Sequence, residues 1–253
     1  MTKNLYVQAM RATNTLTLGA NRALYVGELP ATGWHRHASP VLLMGLSGRF
    51  AVQLPNGHPQ TCSSALINTG VEHVFDPCGE HVALMYLEPD SVEARGLRTH
   101  FQVEGGVIFE PAARVTSRSR MDAHLRTFDV HSLLQLTCHQ AAPIDERVAR
   151  SLLALRTQRE GPLGRDCAGA AAHLSASRFN HLFRAEMGVS FRSYRVWSQV
   201  RSAMVGLTTS SNLTHAALHG GFVDSSHFSR MFRQTFGMTP SSVLKPLKDV
   251  SLI

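Results

Sequence analysis

The sequence predicts an α+β chain in which a small N-terminal β-barrel precedes an all-α part with two helix-turn-helix units joined by a long helix. Two observations lead to this prediction. Short β-rich apolar runs separated by turn signals fill the first ~110 residues, and a helical period replaces them after Pro111. A pattern of sixteen residues then occurs twice in the C-terminal third.

Short apolar runs in the N-terminal part are typical of strands. They cover residues 23–29, 41–45, 49–54, 64–68 and 82–87. Leu54-Pro55-Asn56-Gly57 predicts a hairpin turn, because Asn-Gly readily adopts left-handed backbone conformations. Strands at this spacing, without helices between them, predict a barrel or a sandwich.

Two amphipathic helices are predicted after the strands, over residues 121–140 and 145–159. They would be the natural dimer surface, and packing within the chain is the alternative that predicts the same apolar stripe. Residues 160–164, Glu-Gly-Pro-Leu-Gly, are typical of a linker. The predicted domains are therefore the barrel (1–110), a helical linker or dimerisation segment (111–160) and the two-unit helical domain (161–253).

Composition excludes several classes of protein. With 43% hydrophobic and 17% charged residues the chain has the make-up of a globular protein. The N-terminus lacks the apolar run of a secretory signal, and no stretch reaches the ~18 apolar residues of a membrane span. Four scattered cysteines form no Cys-x-x-Cys pair, which argues against a disulfide framework. A cytoplasmic location is the expectation.

The positive charge is concentrated in the C-terminal third. Residues 161–253 hold 10 Lys and Arg against 4 Asp and Glu, whereas residues 1–160 hold 15 against 14. A basic region of this kind attracts a polyanion, with DNA or RNA as the first choice. On charge alone, a solvated surface without a function is an equal alternative.

The internal repeat aligns residues 173–188 with residues 222–237 without a gap. In each copy a capping residue, Ser175 or Asp224, precedes the helix, and a glycine, Gly188 or Gly237, can end it in the left-handed conformation. Apolar residues at i, i+3 and i+4 then form the core face. The polar faces carry Ser177, Arg178, Asn180, His181 and Arg184 in the first copy, and Ser226, His227, Ser229, Arg230, Arg233 and Gln234 in the second.

Each copy follows a shorter Ala-rich segment, which is the order of a helix-turn-helix unit. An apolar stripe over residues 191–207 predicts one long connecting helix, which can hold the two units about one DNA turn apart. A plain helical bundle with a polar face is the alternative. Small polar, amide, imidazole and guanidinium groups read bases and phosphates, so the polar faces favour DNA as the partner.

Residues 163–244 resemble the AraC/XylS family of transcription regulators, most clearly from Gly221 to Pro240. The resemblance implies a double-stranded DNA partner, binding near promoters that recruits or obstructs RNA polymerase, and no enzymatic activity. By position, it assigns base contacts to Ser177, Arg178, Asn180 and His181 and to Ser226, His227 and Arg230, with Arg184 and Arg233 better placed for phosphates.

The sequence departs from the family pattern at three positions. Gly169 and Gly220 stand where good helix formers or a β-branched residue are usual, and each glycine in a helix costs up to ~1 kcal/mol. We therefore expect loose leading helices. Ser202 stands where Arg is common.

Three N-terminal histidines resemble part of the ligand set of the cupin superfamily. Residues 33–37, Gly-Trp-His-Arg-His, resemble its first motif and residues 70–73, Gly-Val-Glu-His, part of its second. The resemblance implies a cupin-like sensor barrel in which His35, His37 and His73 hold a divalent metal. The same histidines can instead hydrogen-bond an organic effector or be ordinary barrel residues, and His81 is a weaker fourth candidate. Val41 replaces the usual glutamate of the first motif, and Asn68 the usual proline of the second.

The functional prediction is a sequence-specific DNA-binding transcription regulator whose barrel senses a small molecule or a metal. A homodimer is one expected form of this regulator. The alternative is a cupin-type metal-dependent enzyme fused to a DNA-binding module. The missing glutamate and the helical domain both oppose the enzyme.

Overall fold

The computed structural model describes residues 14–111, 134, 141–157, 165–210 and 212–253. Contacts divide the chain into two compact units: the first combines Met1–His139 with Phe232–Ile253, and the second is Gln140–Met231. The predicted domain boundaries after residues 110 and 160 rest on sequence composition and stay a prediction. No helix among the described residues is long and apolar enough to cross a membrane.

The N-terminal part is rich in sheet, as predicted. Its strands are β1 (Asn14–Leu18), β2 (Arg22–Gly27), β3 (Val41–Gly45), β4 (Phe50–Gln53), β5 (Gln60–Cys62), β6 (Ser64–Ile67), β7 (Val74–Asp76), β8 (Val82–Leu87) and β9 (Val107–Phe109), with short helices α1 (Val92–Gly96) and α2 (Arg98–Val103) before β9. The strand β10 (Leu247–Leu252) joins them from the other end of the chain.

The strands form two sheets. The larger has the order β10-β1-β2-β8-β3-β6-β9, and the smaller has the order β5-β4-β7. Each of the five predicted strands corresponds to an observed one, β2, β3, β4, β6 and β8. The predicted hairpin is confirmed: β4 pairs with β5, the backbone of Asn56 is left-handed with φ 62°, and the Gly57 N–H donates to Leu54 O at 3.0 Å.

The core of the first unit lies on the central strands of the larger sheet. Residues of β3, β6 and β8 are buried on both faces, which explains their continuous apolar runs. Leu42, Leu66 and Met85 pack in one cluster with Leu97, which lies between the two short helices, and with Phe101 of α2. Burial of such side chains is worth about 1.5–3 kcal/mol each, so this cluster contributes to the stability of the sheet.

The C-terminal part is helical, as predicted. Its helices are α3 (Glu146–Thr157), α4 (Arg165–Ala171), α5 (Ala176–Met187), α6 (Phe191–Gly206), α7 (Leu213–His219), α8 (Ser225–Phe236) and α9 (Pro240–Leu244). The helix predicted over 145–159 corresponds to α3, and the connecting helix predicted over 191–207 corresponds to α6. The helix predicted over 121–140 lies outside the described residues, apart from Leu134.

Aromatic rings hold α5 and α6 together in the second unit. The rings of Phe179 and Phe183 lie 5.1 and 5.3 Å from that of Phe191, and Phe183 also contacts Tyr194 at 5.6 Å. These are distances at which edge-to-face aromatic pairs attract. These ring contacts fix the orientation of α5 relative to α6, and with it the direction in which their outer faces point.

Candidate nucleic-acid interface and histidine site

The helix α5 presents the predicted polar residues of the first repeat away from its core. Phe179, Phe183 and Met187 are buried. The predicted set is solvent-accessible: Ser177, Arg178, His181 and Arg184 are exposed and Asn180 is half-buried. Gly188 ends the helix with φ 74°, as predicted, whereas the Ser175 side chain makes no capping hydrogen bond.

The helix α8 repeats this arrangement and has the side-chain N-cap that α5 lacks. The Asp224 carboxylate accepts from the His227 N–H at 2.6 Å, and Gly237 ends the helix with φ 70°. Phe228 and Phe232 are buried. Ser226, Arg230 and Arg233 are exposed, and Ser229 and His227 are half-buried.

The two unusual glycines lie at close contacts between helices. Gly220 is the C-cap of α7 and does not lie inside the helix. A Cβ at this position would come within 2.5 Å of the Gln199 carbonyl oxygen on α6. The expectation that Gly220 loosens its helix is therefore wrong, because the glycine permits tight packing. Gly169 does lie inside α4, and a Cβ there would approach the Leu174 carbonyl oxygen to 3.1 Å.

Ser202 also belongs to the contact between α6 and α7. Its hydroxyl donates to His219 O at 3.2 Å, and His219 Nδ1 lies 2.8 Å from Ser202 O. A carbonyl oxygen can only accept, so Nδ1 is the donor in that pair. These bonds give the His219 carbonyl and imidazole, at the end of α7, hydrogen-bond partners on α6. A short hydroxyl thus takes the position where a long arginine is common in the AraC/XylS family.

A basic cavity of about 560 Å³ opens between α5 and the start of α6. Its lining residues are Asn180, His181, Arg184, Ser190, Phe191, Arg192 and Arg195. Three of them belong to the predicted interface. Arg192 and Arg195 were not predicted, because an apolar stripe defines the core face of this helix and not its polar face. Two arginines three residues apart near the start of the helix are the sequence signal for them.

The three candidate histidines of the N-terminal part lie together and are buried. His35 and His73 form an antiparallel bridge between two loops, and His37 follows on the same chain segment. Their ring centroids lie 4.3 to 5.7 Å apart, and one ring nitrogen from each lies within 4.8 Å of the others. The pairing of the loops therefore brings together residues that are 36 and 38 positions apart in the sequence.

Backbone carbonyls fix the tautomer of each histidine. Nδ1 of His35 lies 2.9 Å from Gly33 O, that of His37 lies 2.6 Å from Ser39 O, and that of His73 lies 3.0 Å from Val71 O. Because a carbonyl only accepts, each Nδ1 carries the proton and each Nε2 keeps its lone pair. His37 Nε2 is buried without a hydrogen-bond partner.

Burial keeps these imidazoles neutral. It lowers the pKa of His35 and lowers the pKa of His73 to about 3. The pKa of His37 is held well below its usual value by burial first and then by the two neighbouring rings. Neutral imidazoles with a fixed Nδ1–H and an available Nε2 are the form that ligates a metal.

The end of α8 packs beside this histidine cluster. The Gly33 N–H donates to Gly237 O at 2.8 Å, and a Cβ on Gly237 would lie 2.8 Å from His35 Nδ1. Tyr86 contacts the His37 ring at 5.3 Å and the Phe236 ring at 5.5 Å. His81 is not a member of the cluster and instead lies 3.5 Å from a Glu28 carboxylate oxygen. Among the described residues no carboxylate joins the three histidines, and Val41 is buried in the core.

Comparison with known proteins finds relatives of the C-terminal region. Residues 169–246 match the family model described as a helix-turn-helix domain. The arabinose operon regulatory proteins of Salmonella typhimurium and Escherichia coli are each 38% identical over 79 residues, which is 30% of this chain. The match spans only 28% and 27% of the length of these relatives. They are named as regulatory proteins, in agreement with the prediction that the chain is not an enzyme.

Solved structures of ToxT from Vibrio cholerae resemble the fold over most of the chain. An apo form of a ToxT variant has a TM-score of 0.59 at 13% identity and covers 90% of this chain and 97% of its own. A ToxT structure bound to an unsaturated fatty acid has a TM-score of 0.53 at 13% identity, covering 90% and 96%. This likeness concerns the fold alone. Residues 169–246 therefore match a helix-turn-helix domain, and this region is similar to the arabinose operon regulatory proteins.

Proposed function

We propose that this chain is a sequence-specific DNA-binding transcription regulator. The observation that carries the proposal is the repeated helix pair, α4 with α5 and α7 with α8, inside a region that matches the helix-turn-helix model. Each longer helix buries its aromatic residues and exposes arginines. In this proposal the two pairs are helix-turn-helix units that read adjacent major grooves, and RNA polymerase is the partner at the promoter.

The arginines of α8 provide the test of the DNA-reading surface. In vitro selection with the full chain identifies its preferred duplex, expected to contain two half-sites about 10 bp apart. Arg230→Ala should cost roughly 1–3 kcal/mol at that duplex and relax the sequence preference. Arg233→Ala, which removes the same charge from the next turn, should weaken binding to all duplexes about equally. Unchanged affinity and preference in Arg230→Ala would show that α8 does not read bases.

The proposal assigns sensing to the N-terminal unit, as a cupin-like barrel. Its support is the buried cluster of three neutral histidines, with one lone pair lacking a partner. His35, His37 and His73 would hold a divalent metal, which supplies a positive charge and open coordination positions for an effector. An organic effector that donates hydrogen bonds to the Nε2 atoms is the second candidate ligand.

A connection from the histidines to the DNA-reading helix supports regulation by the ligand. Gly237 and Phe236, which end α8, contact the His35 segment and Tyr86. A ligand that shifts the histidine loops therefore shifts the end of α8. If the ligand binds more tightly when this helix is in one of two positions, ligand binding also changes the affinity for DNA, by thermodynamic linkage.

Metal analysis of protein purified without an affinity tag tests the histidine site. We expect close to one equivalent of a divalent metal per chain, lost in a His35→Ala/His73→Ala variant and retained in His58→Ala, which removes an exposed imidazole. DNA affinity measured with and without the metal gives the second readout. If the wild-type chain takes up no divalent metal, including on titration, the cluster does not bind metal and an organic effector becomes the proposed ligand.

The remaining parts of the proposal follow from a DNA target. A homodimer fits paired half-sites, and a cytoplasmic location fits a protein that acts on bacterial promoters. Genome-wide footprinting in the host, with discrete promoter peaks as the expected result, tests the regulator in its own setting. The absence of discrete peaks under several growth conditions would contradict the proposal.

A further inference from the structure

The histidine cluster is an electrically neutral group of metal ligands. His35, His37 and His73 are between 1% and 5% exposed, and each Nδ1 donates to a backbone carbonyl. Each imidazole therefore offers a lone pair but no charge. In the part of the chain that the structure describes, no acidic side chain completes the group. A divalent cation held by these three side chains would keep its full double charge in a buried position.

The charged residues that alternate with the histidines lie on the other side of the paired loops. Arg36 and Glu72 form an ion pair with each other at 3.2 Å, and their side chains are 63% and 40% exposed. Side chains alternate between the two sides of an extended segment. The ion pair therefore lies on the solvent side, opposite the buried histidines. The carboxylate of Glu72 is neutralised by Arg36 and does not supply its charge to the cluster.

An anion from solution is the group that offsets this missing charge. Buried charges in proteins are paired, because an unpaired charge away from water is costly. A cation held by three protein ligands keeps a coordination position for one further ligand. Carboxylate oxygens are the anionic ligands that proteins combine with imidazoles around such cations. A free carboxylate compound can take the same place, and the low exposure of the histidines limits it to a small one.

We propose that His35, His37 and His73 bind a divalent cation together with one small carboxylate from solution, and that small carboxylate compounds are the effector class of the N-terminal unit. This inference rests on the metal site of the proposed function and adds the chemical class of its effector. Each ion offsets the cost of burying the other, so each raises the affinity for the other by the same factor.

Titration of the full chain, purified without an affinity tag, with Co²⁺ in the presence and absence of formate measures this coupling. Co²⁺ is the probe because its visible absorption reports the ligands around it, and formate is the smallest carboxylate. With perchlorate as the other anion, formate should raise the affinity for Co²⁺ about 5- to 150-fold and change the absorption spectrum. Both effects should be lost in His35→Ala/His73→Ala.

Glu72→Gln is the matched control for the source of the negative charge. It removes the acidic side chain that precedes His73 and leaves the three imidazoles in place. The effect of formate on the affinity for Co²⁺ should equal that of the wild-type chain. If the wild-type chain binds Co²⁺ equally well without formate, while Glu72→Gln needs formate, then Glu72 supplies the charge and the proposal is wrong.

Val41 offers the converse test, in which the chain supplies its own carboxylate. It is buried in β3 and pairs with Tyr86, whose ring contacts His37 at 5.3 Å. Directly paired residues share a face of the sheet, so Val41 lies on the face of the histidines. Val41→Glu should bind Co²⁺ equally well with and without formate, whereas Val41→Gln, of the same size, should keep the dependence. Circular dichroism checks both folds, and an unfolded Val41→Glu leaves the decision to the wild-type chain and Glu72→Gln.

The outcomes separate this inference from the proposed function. If the wild-type chain takes up no Co²⁺ in either condition, the proposed metal site and this inference are both overturned. Uptake of Co²⁺ with an affinity that formate does not change overturns only the carboxylate. A formate effect that persists in His35→Ala/His73→Ala shows that the anion binds elsewhere and also contradicts the proposal. None of these measurements involves DNA, so the proposed regulator is tested independently.

Discussion

Gly220 shows what a missing side chain permits at the crossing of α6 and α7. A Cβ at this position would come within 2.5 Å of the Gln199 carbonyl oxygen and 2.8 Å of the Ala203 Cβ. A Cβ at Gly206, on α6, would similarly come within 2.9 Å of the His219 side chain. Two glycines thus face the partner helix, and the backbones approach more closely than other residues allow.

We expect Gly220→Ala to destabilise the helical unit by about 1–3 kcal/mol, because the methyl group overlaps a backbone oxygen that cannot move alone. Gly57→Ala is the matched control, since a Cβ there has only an ordinary contact with Leu54 O at 3.4 Å; its effect should stay within about 0.5 kcal/mol. Urea unfolding followed by circular dichroism measures both. Equal midpoints for Gly220→Ala and wild type would contradict the described crossing.

The strand β10 is one of the elements that the sequence patterns did not predict. It runs parallel to β1, with Leu16 opposite Val250 and Leu18 opposite Leu252, and the Ile253 N–H donates to Leu18 O at 3.0 Å. Its segment, Leu-Lys-Asp-Val-Ser-Leu, is short and carries two charges. Charged, largely exposed strands are typical of sheet edges, where they discourage pairing with other molecules. The edge of β1 is thereby covered by the C-terminal end of the same unit.

We expect removal of residues 247–253 to increase amide hydrogen exchange in β1, because its outer N–H and C=O groups lose their partners. Amides of β3, in the centre of the same sheet, should keep their protection. Lys248→Ala in the full chain is the control, since it removes an exposed charge and leaves the backbone pairing. Self-association of the truncated chain is a further expected result. Unchanged protection of β1 would mean that β10 does not pair with it in solution.

For the whole molecule, two properties combine. The charge is divided unequally, since residues 161–253 carry a net +6 of the total +7. The boundaries of the two compact units do not coincide with this change in charge, because the residues after Met231 group with the N-terminal strands. As a result, Arg230 on α8 groups with the second unit, whereas Arg233, one turn later on the same helix, groups with the first unit.

The sequence by itself determined the features that depend on local periodicity. The strands at 41–45 and 82–87 were predicted with their observed bounds, as were the hairpin at Asn56 and the glycines that end α5 and α8. The polar faces of α5 and α8 were also predictable, because a helix of period 3.6 fixes which residues oppose its aromatic core. Whether those residues contact DNA stays a prediction.

Only the tertiary structure decided the features that depend on distant residues. The three-residue strands β5, β7 and β9 have little pattern of their own and form by pairing with longer neighbours. The pairing of β1 with β10, the contact of Gly220 with Gln199 and the basic cavity join residues from separate elements, so no local pattern encodes them. The three histidines were proposed together from a motif, but their common tautomer is set by Gly33, Ser39 and Val71 carbonyls. Local sequence fixes the period of an element, whereas long-range packing fixes what its faces meet.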